Sequence, residues 1–187
     1  MKLTEKLKTN MKGFTIIEVM IVLAIAGLII AVVLVAVPQL QRNQRNEARR
    51  SVLNRIKTEI DNYSGNNQGK YPADTAGGTA AGEFGALTAS ATTTSVPTGS
   101  TFLGRYLSGV NVNDPSTGRP GSFTAGGTTN TRPTFSPDLG YSVLYSRSAQ
   151  CGTDGDLTEL TGASLSDRKY ALSIALDGGA VYCIDNK

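Results

Sequence analysis

Histidine and tryptophan are absent from this 187-residue chain, cysteine occurs only twice, and aromatic residues make up 6% of it. Without histidine there is no His-dependent nucleophile triad, no imidazole general base and no His-containing metal site, which removes a large share of enzyme mechanisms. The chain is accordingly expected to be no enzyme and to carry no cofactor. Few aromatics beside 40% hydrophobic residues mean that the apolar character is aliphatic and lies in particular segments rather than in one ordinary globular interior. The length suits one folded domain, and a second large core is not expected. Charge is localised as well. Residues 1–13 hold Lys2, Lys6, Lys8 and Lys12 against Glu5, four minus one, which accounts for the whole net charge of +3 and leaves a remainder that sums to zero. The basic balance therefore says little about nucleic-acid or lipid-surface binding by the rest of the chain.

What the chain does have is one long apolar run. From Phe14 to Val37 only Thr15 and Glu18 are polar, and proline first appears at Pro38. At 1.5 Å per residue a helix over this run reaches roughly 36 Å, against a hydrocarbon core of about 30 Å. A secretory signal has a shorter apolar region followed by a small-residue cleavage site, so it fits poorly. A plain signal anchor fits the length, but it has no need of Glu18. A carboxylate inside a spanning helix costs up to about 2.5–3.5 kcal/mol at the bilayer centre and is by default functional. The alternative is a tolerated glutamate that reaches the interface from the start of the run.

The neighbours of Glu18 favour function. Lys12-Gly13-Phe14-Thr15-Ile16-Ile17-Glu18-Val19-Met20-Ile21-Val22 resembles the class III signal of type IV prepilins, with a basic leader, glycine before the cut and glutamate fifth after it. The resemblance implies that residues 1–13 are a leader removed by a prepilin peptidase, which cuts between Gly13 and Phe14 on the cytoplasmic side and methylates the new Phe14 amine. The apolar helix, residues 14–37, is then retained in the membrane before assembly and becomes the core of a helical filament of identical subunits. Cutting creates a cation at Phe14, and in a low-dielectric bundle the Glu18 carboxylate of an adjacent subunit can neutralise it. Partners implied are the peptidase, the pilus assembly machinery and further copies of the chain.

Beyond Pro38, which is expected to kink the helix by lacking a backbone N–H, Val52, Leu53, Ile56, Ile60 and Tyr63 recur at helical spacing. Residues 38–63 are thus an amphipathic continuation. Tyr170, Leu172, Ile174 and Leu176 alternate with small residues, and Asp177-Gly178-Gly179 offers a turn into Ala180 to Ile184; Tyr141 to Ser146 adds another strand. The expected class is α+β in the type IV pilin manner, a long N-terminal helix packed on a small antiparallel sheet over residues 141–187. Residues 64–140, rich in Gly, Thr, Ala, Ser and Pro, are expected to form an exposed αβ-loop. Within them Lys70-Tyr71-Pro72 and Asn113-Asp114-Pro115-Ser116-Thr117-Gly118-Arg119-Pro120 resemble patterns shared by major pseudopilins and many pilins, with Ser116 where a bulky aromatic is usual.

Arg42, Arg45, Arg49 and Arg50 rival the leader lysines, so the positive-inside rule leaves orientation undecided. Cys151 and Cys183 are either a disulfide, which needs an oxidising compartment, or two free buried thiols. Many pilins staple a C-terminal loop this way, so the resemblance favours the bridge and an external C-terminal part; it would be worth about 3.5–4 kcal/mol on the chain-entropy model. The arginines are expected to form a solvated or inter-subunit face paired with Glu47, Glu59 and Asp61, with DNA binding as the lesser alternative. Asp154, Asp156 and Glu159 are a weak Ca²⁺ candidate against a plain solvated loop, and otherwise no metal site is expected. Gly65 to Tyr71 has the wrong glycine spacing for a phosphate loop and lacks the hydroxyl after Lys70. Together these readings point to a structural subunit of an extracellular type IV pilus serving motility, adhesion or DNA uptake. The alternatives are a major pseudopilin of a type II secretion or competence system and a single-span, membrane-anchored extracytoplasmic module.

Overall fold

The computed structural model describes residues 13–73, 84–85, 87, 99–125, 132–154, 157–159 and 168–186. One helix, α1, runs from Ile16 to Asn66, 51 residues. Its first turn is held by a Thr-x-x-Glu sequence. Thr15 Oγ1 accepts the Glu18 N–H at 3.3 Å, and the Thr15 carbonyl accepts the Val19 N–H at 3.3 Å. At the other end Gln68 is left-handed (φ 58°), and the Gly69 N–H returns to the Ser64 carbonyl at 2.9 Å, closing the last turn. Pro38 sits inside α1, where its missing N–H leaves the Leu34 carbonyl without the usual helical donor.

The chain divides into two compact units, residues 1–41 and 42–187. The described part of the first is the apolar half of α1, and its large side chains from Phe14 to Leu40 are exposed. In the second unit α1 is amphipathic, burying Arg49, Val52, Leu53, Ile56, Ile60 and Ser64 along one stripe, the i, i+3, i+4 pattern of the sequence. The strands are β1 (Ser122–Ala125), β2 (Phe135–Ser136), β3 (Gly140–Arg147), β4 (Ala149–Cys151), β5 (Leu157–Glu159), β6 (Tyr170–Ala175) and β7 (Val181–Asp185). The main sheet has the order β1-β3-β6-β7, with β2 paired to the start of β3, and β4-β5 form a separate two-stranded sheet. β6 and β7 are the expected hairpin, in register from Ala175↔Val181 to Ala171↔Asp185 around Gly178 and Gly179, both at positive φ.

Strand alternation divides the side chains between two cores. Tyr141, Val143 and Tyr145 of β3 and Tyr170, Leu172 and Ile174 of β6 join Val52, Leu53, Ile56 and Ile60 of α1 in the larger one. The opposite face carries Leu144 and Ala171, which pack with Ala149 and Leu157 of the β4-β5 hairpin in a smaller one. Every residue of β6 is therefore buried. The small side chains that alternate along β6 leave room for a hairpin rather than for solvent.

Two expectations need correction. The sheet is mixed rather than wholly antiparallel, because β1 runs parallel to β3, from Ser122↔Ser142 to Ala125↔Tyr145. Nor is the described part of residues 64–140 simply an exposed loop. Phe84, Phe102, Leu103, Leu107, Val112 and Phe123 are buried in the larger core, and Leu103–Leu107 form a π-helical turn. Phe102, Leu103 and Leu107 enter together at that one turn, while Phe84, Val112 and Phe123 come from separate positions, so no sustained periodicity marks the set. Ring packing links them, with Phe84 stacked on Tyr145 (centroids 4.1 Å) and on Phe102 (5.2 Å).

Candidate processing and assembly site

Gly13, Phe14 and Thr15 precede the first turn of α1, and residues 1–12, the rest of the expected leader, lie outside the described residues. A Cβ built at Gly13 meets nothing within 4 Å, and Gly13 is not among the glycines at positive φ. Neither packing nor backbone conformation in the described chain demands glycine here. Phe14 is 83% exposed and, with Glu18, Val19, Val22 and Leu23, lines a shallow groove of about 290 Å³. The helical spacing of 18, 19, 22 and 23 puts these four on one side of the helix. Glu18 lies in the first turn, where the helix dipole favours an anion. Its backbone is satisfied by Thr15, while among the described residues its carboxylate has no ion-pair partner.

The surface that follows is apolar all round. An 18-residue window of α1 reaches a mean hydropathy of 3.3 with none of it buried, and α1 is the one helix among the described residues long and apolar enough to cross a membrane. A patch this large needs lipid or other apolar helices around it.

The second unit contains a buried ionic cluster that sequence reasoning missed. The Arg49 side chain is wholly buried, with Nε donating to Asp114 Oδ2 at 2.7 Å, Nη1 at 2.9 Å from Asp177 Oδ1, and Nη2 donating to Ser116 Oγ at 3.2 Å. Its guanidinium also lies 4.5 Å from the centroid of the Phe135 ring. Arg45 Nε meets the other oxygen of Asp177 at 2.8 Å, and Asn46 Oδ1 accepts the Asp177 N–H at 2.8 Å. Asp114 Oδ1 in turn accepts the Ser116 N–H (2.7 Å) and the Ser116 hydroxyl. Burial opposes charge on Arg49, but its bonds to Asp114 and Asp177 outweigh this and hold its pKa above the ordinary value. Burial likewise pushes Asp114 and Asp177 up, and the arginines, with Ser116 at Asp114, bring both below the usual carboxylate value. A signal was present. Arg49 stands on the same stripe as Val52, Leu53, Ile56 and Ile60, and Asp114 belongs to the Asn-Asp-Pro pattern. The cluster joins α1, the segment after Val112 and the β6-β7 turn, so its role here is to fix the fold.

The other expected site residues are placed as follows. Cys151 of β4 and Cys183 of β7 are bonded, with S–S 2.04 Å and Cα–Cα 5.7 Å. The bridge ties the covering hairpin to the main sheet. Glu47 pairs with Arg50 at 2.7 Å and Asp61 with Lys57 at 3.8 Å, while Glu59 accepts a hydrogen bond from Asn62 at 3.2 Å. Of the four arginines, Arg42 alone has no ion-pair partner among the described residues. Asp156 and the Glu159 side chain lie outside the described residues, and among those described no group of three or more potential metal ligands occurs.

Residues 8–34 match the model of the Prokaryotic N-terminal methylation motif, the prepilin-type signature of type IV pilins and pseudopilins. The match spans the basic leader's end, the Gly13–Phe14 bond, Glu18 and most of the apolar run. The signature supports a type IV pilin or pseudopilin-type prepilin and implies processing by a prepilin peptidase and assembly into a pilus-type filament. With the apolar helix it also suits membrane anchoring before assembly. No curated protein and no solved structure matches the chain.

Proposed function

We propose that the chain is a structural subunit of a type IV pilus, made as a prepilin whose residues 1–13 are cut away and whose apolar helix then packs against copies of itself in an extracellular fibre. The observation that carries this is the conjunction of the methylation signature with a wholly exposed apolar helix that holds one carboxylate, Glu18, free of intramolecular ion pairs among the described residues. In lipid the exposed surface is tolerated. In water it must be covered, and identical helices cover it best when their one buried anion meets the Phe14 ammonium freed by cleavage. Glycine at position 13 has no task in the described fold, which supports its being read by the peptidase. The subunit performs no chemistry of its own; it transmits length and force, and motility, adhesion or DNA uptake are outputs of the fibre.

Mass spectrometry and N-terminal sequencing of material sheared from producing cells test this. The expected product begins at N-methylated Phe14 and comes from long surface fibres, whereas Gly13→Leu keeps the leader and yields none. Processed protein without long fibres would favour a pseudopilin of a secretion or competence system. Protein that begins at Met1 and remains a single membrane-bound copy would reduce the chain to an anchored extracytoplasmic module.

A further inference from the structure

An open cleft of about 420 Å³ lies beside the buried ionic cluster, lined by Arg42 and Arg45 of α1, Ser116, Phe135 and Pro137, and Asp177 and Gly178 of the β6-β7 turn. Its charges do not balance. Of the residues lining it, Arg42 and Arg45 stand against Asp177, two minus one, the buried Arg49–Asp114 pair behind them cancels, and the excess belongs to Arg42, whose side chain has no ion-pair partner among the described residues. Arg45 commits its Nε to Asp177, and among the described residues no hydrogen bond engages its terminal nitrogens. The turn side is open, since a Cβ built at Gly178 meets nothing within 4 Å. The cleft thus offers planar guanidinium donors, one uncompensated positive charge and an apolar wall from Phe135 and Pro137. That suits a singly charged phosphodiester, whose oxygens match the guanidinium fork.

Chain position selects the source of that phosphate. Arg42 follows Val37, the last residue of the apolar run, by a short stretch of α1, roughly 7 Å at 1.5 Å per residue. The polar layer on each side of a bilayer is about 5–7 Å thick. We propose that the cleft seats the phosphate of a phospholipid headgroup while the chain is anchored in the membrane, an inference that rests on α1 being a membrane span before assembly. The seat fixes the depth at which the subunit waits, and the phosphate is left behind when the helix leaves the bilayer.

The test uses the full chain with ¹⁵N-labelled arginine in phospholipid nanodiscs, and reads guanidinium ¹⁵N to headgroup ³¹P proximity by solid-state NMR. The expected result is dephasing of an arginine signal in the wild type that is lost in Arg42→Gln and kept in Arg55→Gln. Absence of that dephasing while the amides of residues 16–37 are protected from exchange overturns the seat and leaves the span intact. Unprotected amides there overturn the span and the seat with it. If inorganic phosphate, added to the chain in maltoside micelles, shifts the same arginine signal with equal affinity, the site is a general anion site and the lipid assignment is wrong. If Arg42→Gln instead abolishes self-association in phosphate-free micelles, the occupant is a second copy and the proposal is likewise overturned.

Discussion

Arg49 is the residue on which the second unit turns, because it is buried without solvent and satisfied by two carboxylates that depend on it. Removing it as Arg49→Ala leaves Asp114 buried and uncompensated, and is expected to cost about 3–5 kcal/mol in chemical denaturation of the detergent-solubilised chain. The pH dependence follows from the same contacts. Asp114 and Asp177 are held below the ordinary carboxylate value of 3.8, so the unfolded chain binds protons first as pH falls. Their contribution is complete above that value and is lost as pH drops through their lower folded values. The denaturation midpoint should therefore be insensitive to these two groups near neutrality and fall steeply in acid, with a shallower acid loss in Asp114→Asn. Ser173 presents the opposite case. Its hydroxyl is buried in β6 and has no hydrogen-bond partner among the described residues. Ser173→Ala is expected to leave stability unchanged or raise it by up to about 1 kcal/mol, since an unpaired buried donor costs more than it returns. A clear loss on the same denaturation curve would mean that the hydroxyl is paired.

Among the elements, α1 changes environment partway along its length, and the change is written in side chains rather than in backbone. Up to Leu40 it exposes aliphatic residues, while from Arg49 onward one stripe is buried beneath the sheet. The β4-β5 hairpin is an element of a different kind. It is held to the outer face of the main sheet by Leu157 and Ala149, by the Cys151 N–H donating to Asp185 Oδ2 at 3.0 Å, and by the disulfide. Replacing both cysteines by serine should cost about 2–4 kcal/mol. Hydrogen exchange should locate the damage, with amides of β4 and β5 losing protection first and those of β6 keeping it. The reason is that β6 is paired on both edges, by β3 and by β7. Uniform loss of protection across both sheets would show instead that the hairpin is essential to the main core.

At the scale of the whole molecule, the proposed assembly would depend on cancelling one charge in an apolar bundle. Glu18→Ala removes the anion without altering the apolar surface, so membrane insertion should persist while filament yield falls by orders of magnitude, as counted by electron microscopy and by pilin in the sheared fraction. Glu18→Gln separates charge from hydrogen bonding. It keeps the shape and a polar group, and should not restore normal yield if neutralisation of the Phe14 ammonium is the requirement. Normal fibres from either variant would contradict the pairing.

Apolar length, the lone Glu18 and the Lys-Gly-Phe-Thr context made the anchor and the processing signal readable in the chain itself, because a membrane and a peptidase both act on contiguous stretches of residues. The amphipathic stripe from Val52 to Ile60 and the β6-β7 hairpin were readable for a related reason, their periods being local. Tertiary structure alone decided that Arg49 is an internal ion-pair partner rather than part of a surface face, that Asp114 of the Asn-Asp-Pro pattern is its counter-ion, and that β1 lies parallel to β3. It also decided which scattered aromatics between Ser64 and Gly140 are core. Each of these joins residues far apart in the chain, and whether an arginine is solvated or buried depends on what folds over it. A local pattern marks Arg49 as lying on the buried stripe, but which group meets it there is fixed only by the fold.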